Sequence, residues 1–335
     1  MSKTVVFFLL VMVTIGGAIA LRSKQPNDDV EHDSLTPSRN RLVVQRGTTG
    51  FDLRNATIPE NEIRAGGPPK DGIPALSTPK LVKAVEVDYL DNEDRVIGVR
   101  VGSEARAYPI RILNLHEIVN DRIGDVPIMV TYCPLCDSAA VFDRRTPIGE
   151  REFGVSGLLY NSNVLMYDRG GQPESLWSQV LGEGVSGPAA GKKLKALPME
   201  LTTWGQWKTS HTDTLVLSAN TGHARNYGRN PYAGYFNTPN LIFPVRPVDQ
   251  RLSAKTPILA VWTSEGKSNA HPTAGSRADA SFIGEYSVGG RAYSIAFDQK
   301  TKTARVIESD EGVYWMHSFW FAWSAFHANA EIVAD

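Results

Sequence analysis

The chain's only two cysteines stand three positions apart in 131-TYCPLCDSAAVFDR-144, with Pro134 directly after the first. At this spacing Cys133 and Cys136 can serve three chemistries. Oxidised, they close a small disulfide loop, which constrains the unfolded chain less than a long bridge and is a weak staple. Reduced at a helix start, one thiol ionises easily and the other is the resolving nucleophile, as in a thiol–disulfide oxidoreductase. Such a site ordinarily opens a long helix, whereas 137-DSAAVFDRRT-146 runs quickly into a strand-like segment. Two thiolates from one turn are also half of a metal site, and soft donors suit copper(I) or zinc. All three readings stay open at this stage.

A metal would need further ligands. His116, among the polar neighbours Asn114, Glu117 and Asn120, is the nearest imidazole, and Met166 in 163-NVLMYDR-169 is a soft donor. Copper fits this set better than zinc, which recruits more Cys or His. The segment 153 to 187 mixes apolar anchors with Tyr160, Asn161, Ser162, Asp168, Arg169, Trp177, Ser178 and Gln179, the blend expected of a small-molecule pocket wall. The competing reading is hairpin turns with polar tips, Asp168 and Arg169 forming a surface pair. Ser156 lies in G-V-S-G, outside the spacing of a nucleophile elbow. No phosphate loop, dinucleotide fingerprint, H-E-x-x-H or calcium loop is present.

These groups must be positioned by short strands. The runs 84-AVEVDYL-90, 95-RVIGVRV-101, 126-VPIMVTY-132, 163-NVLMYD-168, 214-TLVLSA-219, 258-ILAVWT-263 and 292-AYSIAFD-298 are rich in β-branched and aromatic residues. Only 110-IRILNLHEIVND-121 has helical spacing, with Ile110, Leu113 and Ile118 on one face. The proline- and glycine-rich 66-GGPPKDGIPALSTPK-80 reads as a wrapping loop. The expected class is therefore α+β and β-rich, with few helices.

An internal repeat is legible. Trp204, Trp207 and His211 in 204-WGQWKTSHTDTLVLS-218 match Trp320, Trp323 and His327 in 320-WFAWSAFHANAEIVA-334 without a gap. A second match, 138-SAAVFDRRT-146 with 293-YSIAFDQKT-301, has a different offset. Two divergent units follow, about 81 to 219 and 255 to 335, joined by a Tyr/Pro/Asn-rich crossover at 225 to 250. The second unit carries Val288 and Arg291 where the first has its cysteines, which marks the cysteine turn as chemistry rather than scaffold. The W-x-x-W-x-x-x-H element, present in both units, reads as packing, which weakens His211 as a ligand.

Composition bounds the rest. Apolar content of 42%, charge of 21% and a formal net charge of −1 describe an ordinary globular chain without the basic footprint that nucleic acid requires. At the N-terminus, Lys3 precedes an uncharged run from Thr4 to Leu21, and Ala18-Ile19-Ala20 has the form of a cleavage site. Residues 1–20 are expected to be a signal peptide, or a membrane anchor if uncleaved, and 21–46 a disordered arm. One module, 47–335, would then be periplasmic or secreted, where disulfides persist.

Taken together, HEIVND (116 to 121), TYCPLCDSAAVFDR, FGVSGLLYNSNVLMYDR (153 to 169), ESLWSQ (174 to 179), TTWGQW (202 to 207), SFWFAWSAFH (318 to 327) and the upstream GGPPKDGIPAL resemble the exported prokaryotic family called domain of unknown function 3179. The resemblance runs from about Gly50 to the C-terminus. It implies export and a single module, marks the cysteine turn and the 153 to 187 segment as the family's signature, and assigns no reaction.

Overall fold

The computed structural model describes residues 50–273 and 281–333, so the expected signal peptide and arm lie outside the described residues. Strands dominate. The α-helices among the described residues are short: α1 (Ile110–Leu113), α2 (Trp204–Ser210), α3 (Ala233–Phe236) and α4 (Trp320–Phe326). The class is α+β and β-rich.

The cysteines lie between an eight-stranded sheet and the sheet built on the 152–178 strands, and a further sheet packs on the other face of the first. In chain order, β1 (Arg95–Val101) and β2 (Glu104–Pro109) form a hairpin, and β3 (Ile118–Ile123), β4 (Val126–Cys133) and β5 (Ser138–Asp143) a meander. Next, β6 (Glu152–Tyr160) and β7 (Asn163–Arg169) pair as a hairpin, with β8 (Leu176–Ser178) beside β7. Later strands include β9 (Glu200–Thr203), β10 (Leu215–Leu217), β11 (Pro257–Thr263), β12 (Ser268–Pro272), β13 (Phe282–Val288), β14 (Arg291–Asp298), β15 (Thr303–Ser309), β16 (Val313–Phe319) and β17 (Glu331–Ile332). The eight-stranded middle sheet runs from the short strand Leu76–Ser77 through β3, β4, β5, β16, β11 and β12 to β17.

β4, reading VPIMVTYC, is buried on both faces, which is why it lacks polar alternation. Successive side chains point to opposite sides of a strand. Ile128, Val130 and Tyr132 therefore enter a core shared with Ile97, Val99 and Leu201, while Met129 and Cys133 enter the opposite core with Phe153, Met166 and Trp177. Truncating Phe153 to alanine in that second layer would cost roughly 3–5 kcal/mol. The cysteine turn thus sits at the end of a strand held from both sides.

The W-x-x-W-x-x-x-H segments occupy the same place in two motifs of one topology. β9 lies antiparallel to β1 with Thr203 opposite Arg95, as β16 lies antiparallel to β11 with Phe319 opposite Pro257. Each is followed by a seven-residue helix, α2 or α4. The chain then returns as a parallel strand, Leu215 and Val216 beside Arg106 and Ala107, Glu331 and Ile332 beside Asn269 and Ala270. His211 ends α2 with its ring tilted against Trp207 at 4.0 Å, and His327 ends α4 stacked 3.8 Å from Trp323. The second sequence match lands hairpin on hairpin, but Val288 and Arg291 flank only Gly289-Gly290, whereas Cys133 and Ser138 flank four residues.

Two expectations are corrected. The run 84-AVEVDYL-90 is not a strand: pairing ends at Lys83, and the Glu86 carboxylate accepts the Lys83 backbone N–H at 2.8 Å to cap a 3-10 turn over Ala84–Glu86. The helix read over 110–121 stops at Leu113. Glu117 adopts a φ of 56°, turning the chain out into β3, so Ile118 packs with the cysteine layer while Ile110, Ile112 and Leu113 pack in the other. Apolar spacing alone does not register a backbone reversal inside the window.

Candidate functional site at the cysteine turn

β4 ends at Cys133 and β5 starts at Ser138, leaving Pro134, Leu135, Cys136 and Asp137 to reverse the chain. The Cys136 N–H donates to the Cys133 carbonyl at 3.1 Å, closing a turn whose ends lie within about 7 Å, the reach of a disulfide. Both cysteines are free thiols, and they are only 1% and 0% exposed. Asp137, at a φ of 45°, accepts from the Tyr132 hydroxyl at 2.7 Å and from Arg95 at 2.9 Å, which pins the turn to the neighbouring strands.

A buried amide network holds the other side. Ser138 Oγ donates to Gln179 Oε1 at 2.6 Å, and Asn163 Nδ2 donates to the same oxygen at 2.8 Å. Gln179 Nε2 returns to Thr131 Oγ1 and to the Ser138 carbonyl, each at 3.2 Å. Removing one member of such a network leaves its buried partners unpaired, at a cost of about 1–3 kcal/mol each.

The two sulfurs are electrostatically unequal. Burial pushes both thiols up. For Cys133 this is outweighed by the Cys136 thiol and by the backbone N–H groups of Val164, Cys136 and Leu135, which bring it below its ordinary value. Cys136 is driven well above its own by burial and by the neighbouring Cys133. The Ser162 carbonyl lies 3.9 Å from Cys133 Sγ and 3.3 Å from Cys136 Sγ, so geometry alone admits either thiol as its donor. The opposite directions of the two shifts make Cys133 the thiol that ionises more readily and Cys136 the one that holds its proton.

Glu117 is a further ionisable neighbour. Its carbonyl accepts the Tyr132 N–H at 2.8 Å, which places it across the ladder from the residue before Cys133. It is 7% exposed, and burial followed by the Cys133 charge raises its carboxyl well above the ordinary range. Glu117, Asp137, Asn161 and Ser162 all have positive φ, a costly conformation for residues with side chains, and all adjoin the cysteine turn or its covering.

That covering is the crossover. Tyr227 hydrogen-bonds His116 Nε2 at 2.6 Å, the Tyr235 hydroxyl donates to the Leu135 carbonyl at 2.8 Å, and Ser162 Oγ donates to the Phe243 carbonyl at 2.8 Å. Asn161 pairs with both backbone groups of Arg246 at 2.9 Å. Between Ser218 and Thr256 its only regular element is α3, so the segment is a strap held down by side chains. Burial, followed by the charges of Glu117 and Cys133 for Tyr232 and of Cys136 and Cys133 for Tyr235, raises both phenols.

The residues singled out from sequence divide. Gln179 and Asn161 serve the turn and its strap directly. His116 is buried with both nitrogens engaged, Nδ1–H donating to the Pro74 carbonyl at 2.7 Å and Nε2 accepting from Tyr227; burial lowers it to about 4, so it is neutral at pH 7. Met166 is fully buried, opposite Trp177 and Val155 in the sheet. Among the described residues no group of at least three His, Cys, Asp or Glu side chains is placed to hold a metal ion.

Asp168 and Arg169 are not a pair. Strand alternation buries Asp168, which accepts the Ser175 N–H at 2.6 Å, while Arg169 bonds Asp71 at 2.7 Å. Tyr160 lies edge-on to Phe326 at 5.4 Å, and Trp177 edge-on to Phe153 at 5.7 Å. The 153 to 187 segment is therefore the paired strands β6, β7 and β8, the short strand Glu183–Gly184 and their turns, packed over the cysteine layer. Sequence reasoning passed over Glu117 as a polar neighbour of His116, and Tyr232 and Tyr235 as crossover residues; their only sequence signal was a cluster of tyrosines in an otherwise polar linker.

In comparisons with known proteins, the family model described as "Protein of unknown function (DUF3179)" matches residues 70–313. No curated protein and no solved structure matches the chain.

Proposed function

The chain belongs to the DUF3179 family, whose description assigns no reaction, and from the cysteine turn itself we propose that it is a dithiol redox protein. Cys133 is the nucleophilic thiolate and Cys136 the resolving thiol, and the pair cycles between free thiols and an intramolecular disulfide. The observation that carries this reading is a tight turn bringing two buried, unbonded thiols within bridging distance. An inert buried cysteine would be raised by its apolar surroundings, as Cys136 is. The apolar N-terminal segment supports export, and an oxidising compartment would supply the electron acceptor.

The test is thiol titration of the purified full chain across a series of dithiothreitol redox buffers, with elemental analysis of protein prepared without chelator. The expected result is reversible loss of both thiols at one midpoint, with Cys136→Ser trapping a mixed disulfide on Cys133 that Cys133→Ser does not form. Thiols that stay reduced at every poise in the folded protein would end the proposal. Stoichiometric copper or zinc whose removal frees both thiols would replace it with the metal reading.

A further inference from the structure

β3 loses its outer partner part-way along. The short strand Leu76–Ser77 pairs with Val119 and Asn120 and stops, and the chain leaves through Thr78, held at a φ of 50° that a β-branched residue seldom adopts. Beyond it, side chains take up the backbone of β3: the Arg122 N–H donates to the Asp121 carboxylate at 2.7 Å, and Arg144 Nη2 donates to the Asp121 carbonyl at 3.3 Å. Here opens a cleft of about 650 Å³ walled by four guanidinium groups, those of Arg106, Arg122, Arg144 and Arg151.

This wall holds more donors than the protein uses. A guanidinium carries five N–H donors and no acceptor. Arg106 is shared between Asp121 at 2.7 Å and the half-exposed Glu104 at 3.4 Å, while its Nε is buried without a partner. The Arg151 side chain donates only to the adjacent Glu150 carbonyl, at 3.0 Å, and its Nε is also buried and unpaired. The three carboxylates of the wall are already engaged. Asp121 accepts from Arg106, the Tyr108 hydroxyl and the Arg122 N–H, each at 2.7 Å; Glu150 pairs with Arg122; and Glu152 accepts the Ser77 hydroxyl at 2.8 Å. Four cations therefore face three anions across the cleft. Among the described residues Arg151 is the one of the four with no carboxylate in ion-pair reach, Arg144 having Glu150 at 3.7 Å.

We propose that this cleft binds a small hydroxylated monocarboxylate, of the kind represented by sugar acids, with Arg151 as the cation its carboxylate pairs with. Guanidinium forks match carboxylate and phosphate alike. A phosphate dianion, however, would bring a second negative charge beside Glu150 and Glu152 that one excess cation does not offset. The volume is that of a small-molecule site and leaves room for a body beyond the two carboxylate oxygens. Leu81 is the wall's one apolar side chain, so that body is polar, its hydroxyls donating to Glu152 and accepting guanidinium N–H groups. Arg122 faces Pro127 in β4, six residues before Cys133 and about 20 Å along the strand, so the site stands apart from the dithiol reading.

The experiment is calorimetric titration of the full chain with glucuronate, gluconate and lactate, in parallel with glucose, benzoate and inorganic phosphate. At least one of the three hydroxy acids is expected to bind, more tightly than phosphate, with no binding of glucose, which lacks the charge, or of benzoate, which lacks the hydroxyls. Arg151→Gln should weaken that binding about tenfold. It leaves the Arg106–Asp121 and Arg122–Glu150 pairs in place. Should it fail to fold, Arg122→Gln alters a half-exposed side chain, removes the same excess charge and carries the same expectation. No binding of any of the three hydroxy acids at millimolar concentration would overturn the inference. So would glucose or benzoate binding equally well, phosphate binding more tightly, or an affinity unchanged in the folded variant.

Discussion

His317 makes the protein's stability sensitive to mild acid. It sits in β16 between Leu259 of β11 and Ala139 of β5, in the interior of the middle sheet, 6% exposed, and its Nε2 has no hydrogen-bond partner. Burial, helped by the Arg95 charge, lowers it from its ordinary 6.5 to about 3. In the unfolded chain it takes up a proton as pH falls through 6.5, whereas in the folded protein it does not until about 3. Stability is therefore whole above 6.5 and declines as pH falls below it, the unfolded state binding the extra proton. By linkage the loss from this one group reaches about 2 kcal/mol near about pH 5 and roughly 5 kcal/mol at its limit. Urea denaturation of the wild-type protein and His317→Asn, at about pH 7.5 and about pH 5, separates this effect from the variant's own packing defect. The wild type should lose about 2 kcal/mol more than the variant between the two conditions. His116, lowered to about 4, contributes a loss of the same sign in both proteins and cancels. Equal losses in wild type and variant would refute the reasoning.

Other consequences are equally direct. At Gly98 an added Cβ would lie 2.2 Å from the Trp207 ring, which is held in place because its indole N–H donates to Thr214 at 2.9 Å and the His211 ring packs against it at 4.0 Å. Gly98→Ala should lower stability by about 1–3 kcal/mol in thermal or urea melts, despite adding one methyl group. Asn161→Gly keeps the φ of 48° available but removes both hydrogen bonds to Arg246. Amide exchange in the strap should accelerate by the equivalent of about 1–3 kcal/mol while the core strands keep their protection.

Much of the fold could be read from residue pattern, for a physical reason. β4 announces itself because a strand buried on both faces must be apolar throughout, and the strand at 95–101 because Val96, Ile97, Val99 and Val101 are β-branched. The helix at 110–121 was misread because Ile118 keeps helical spacing while Glu117 reverses the backbone. Asp168 and Arg169, adjacent in sequence and read either as pocket residues or as a surface pair, are sent apart by strand alternation. The site's covering was hidden for another reason: Tyr235 reaches Leu135 across a hundred positions, and no local pattern encodes that meeting.

The sequence by itself determined which atoms are available for chemistry. Two thiols in one turn, absent from the corresponding hairpin at Val288 and Arg291, make Cys133 and Cys136 the centre whatever surrounds them. It also determined the β-rich class, because strand periodicity is local. Only the tertiary structure decided what those thiols are like. The Val164 N–H beside Cys133, the buried Glu117 carboxyl, Gln179 behind Ser138 and the tyrosines of the strap come from four separate segments. A thiol's proton affinity depends on dipoles and charges within a few ångströms, and those distances exist only once the sheets have packed.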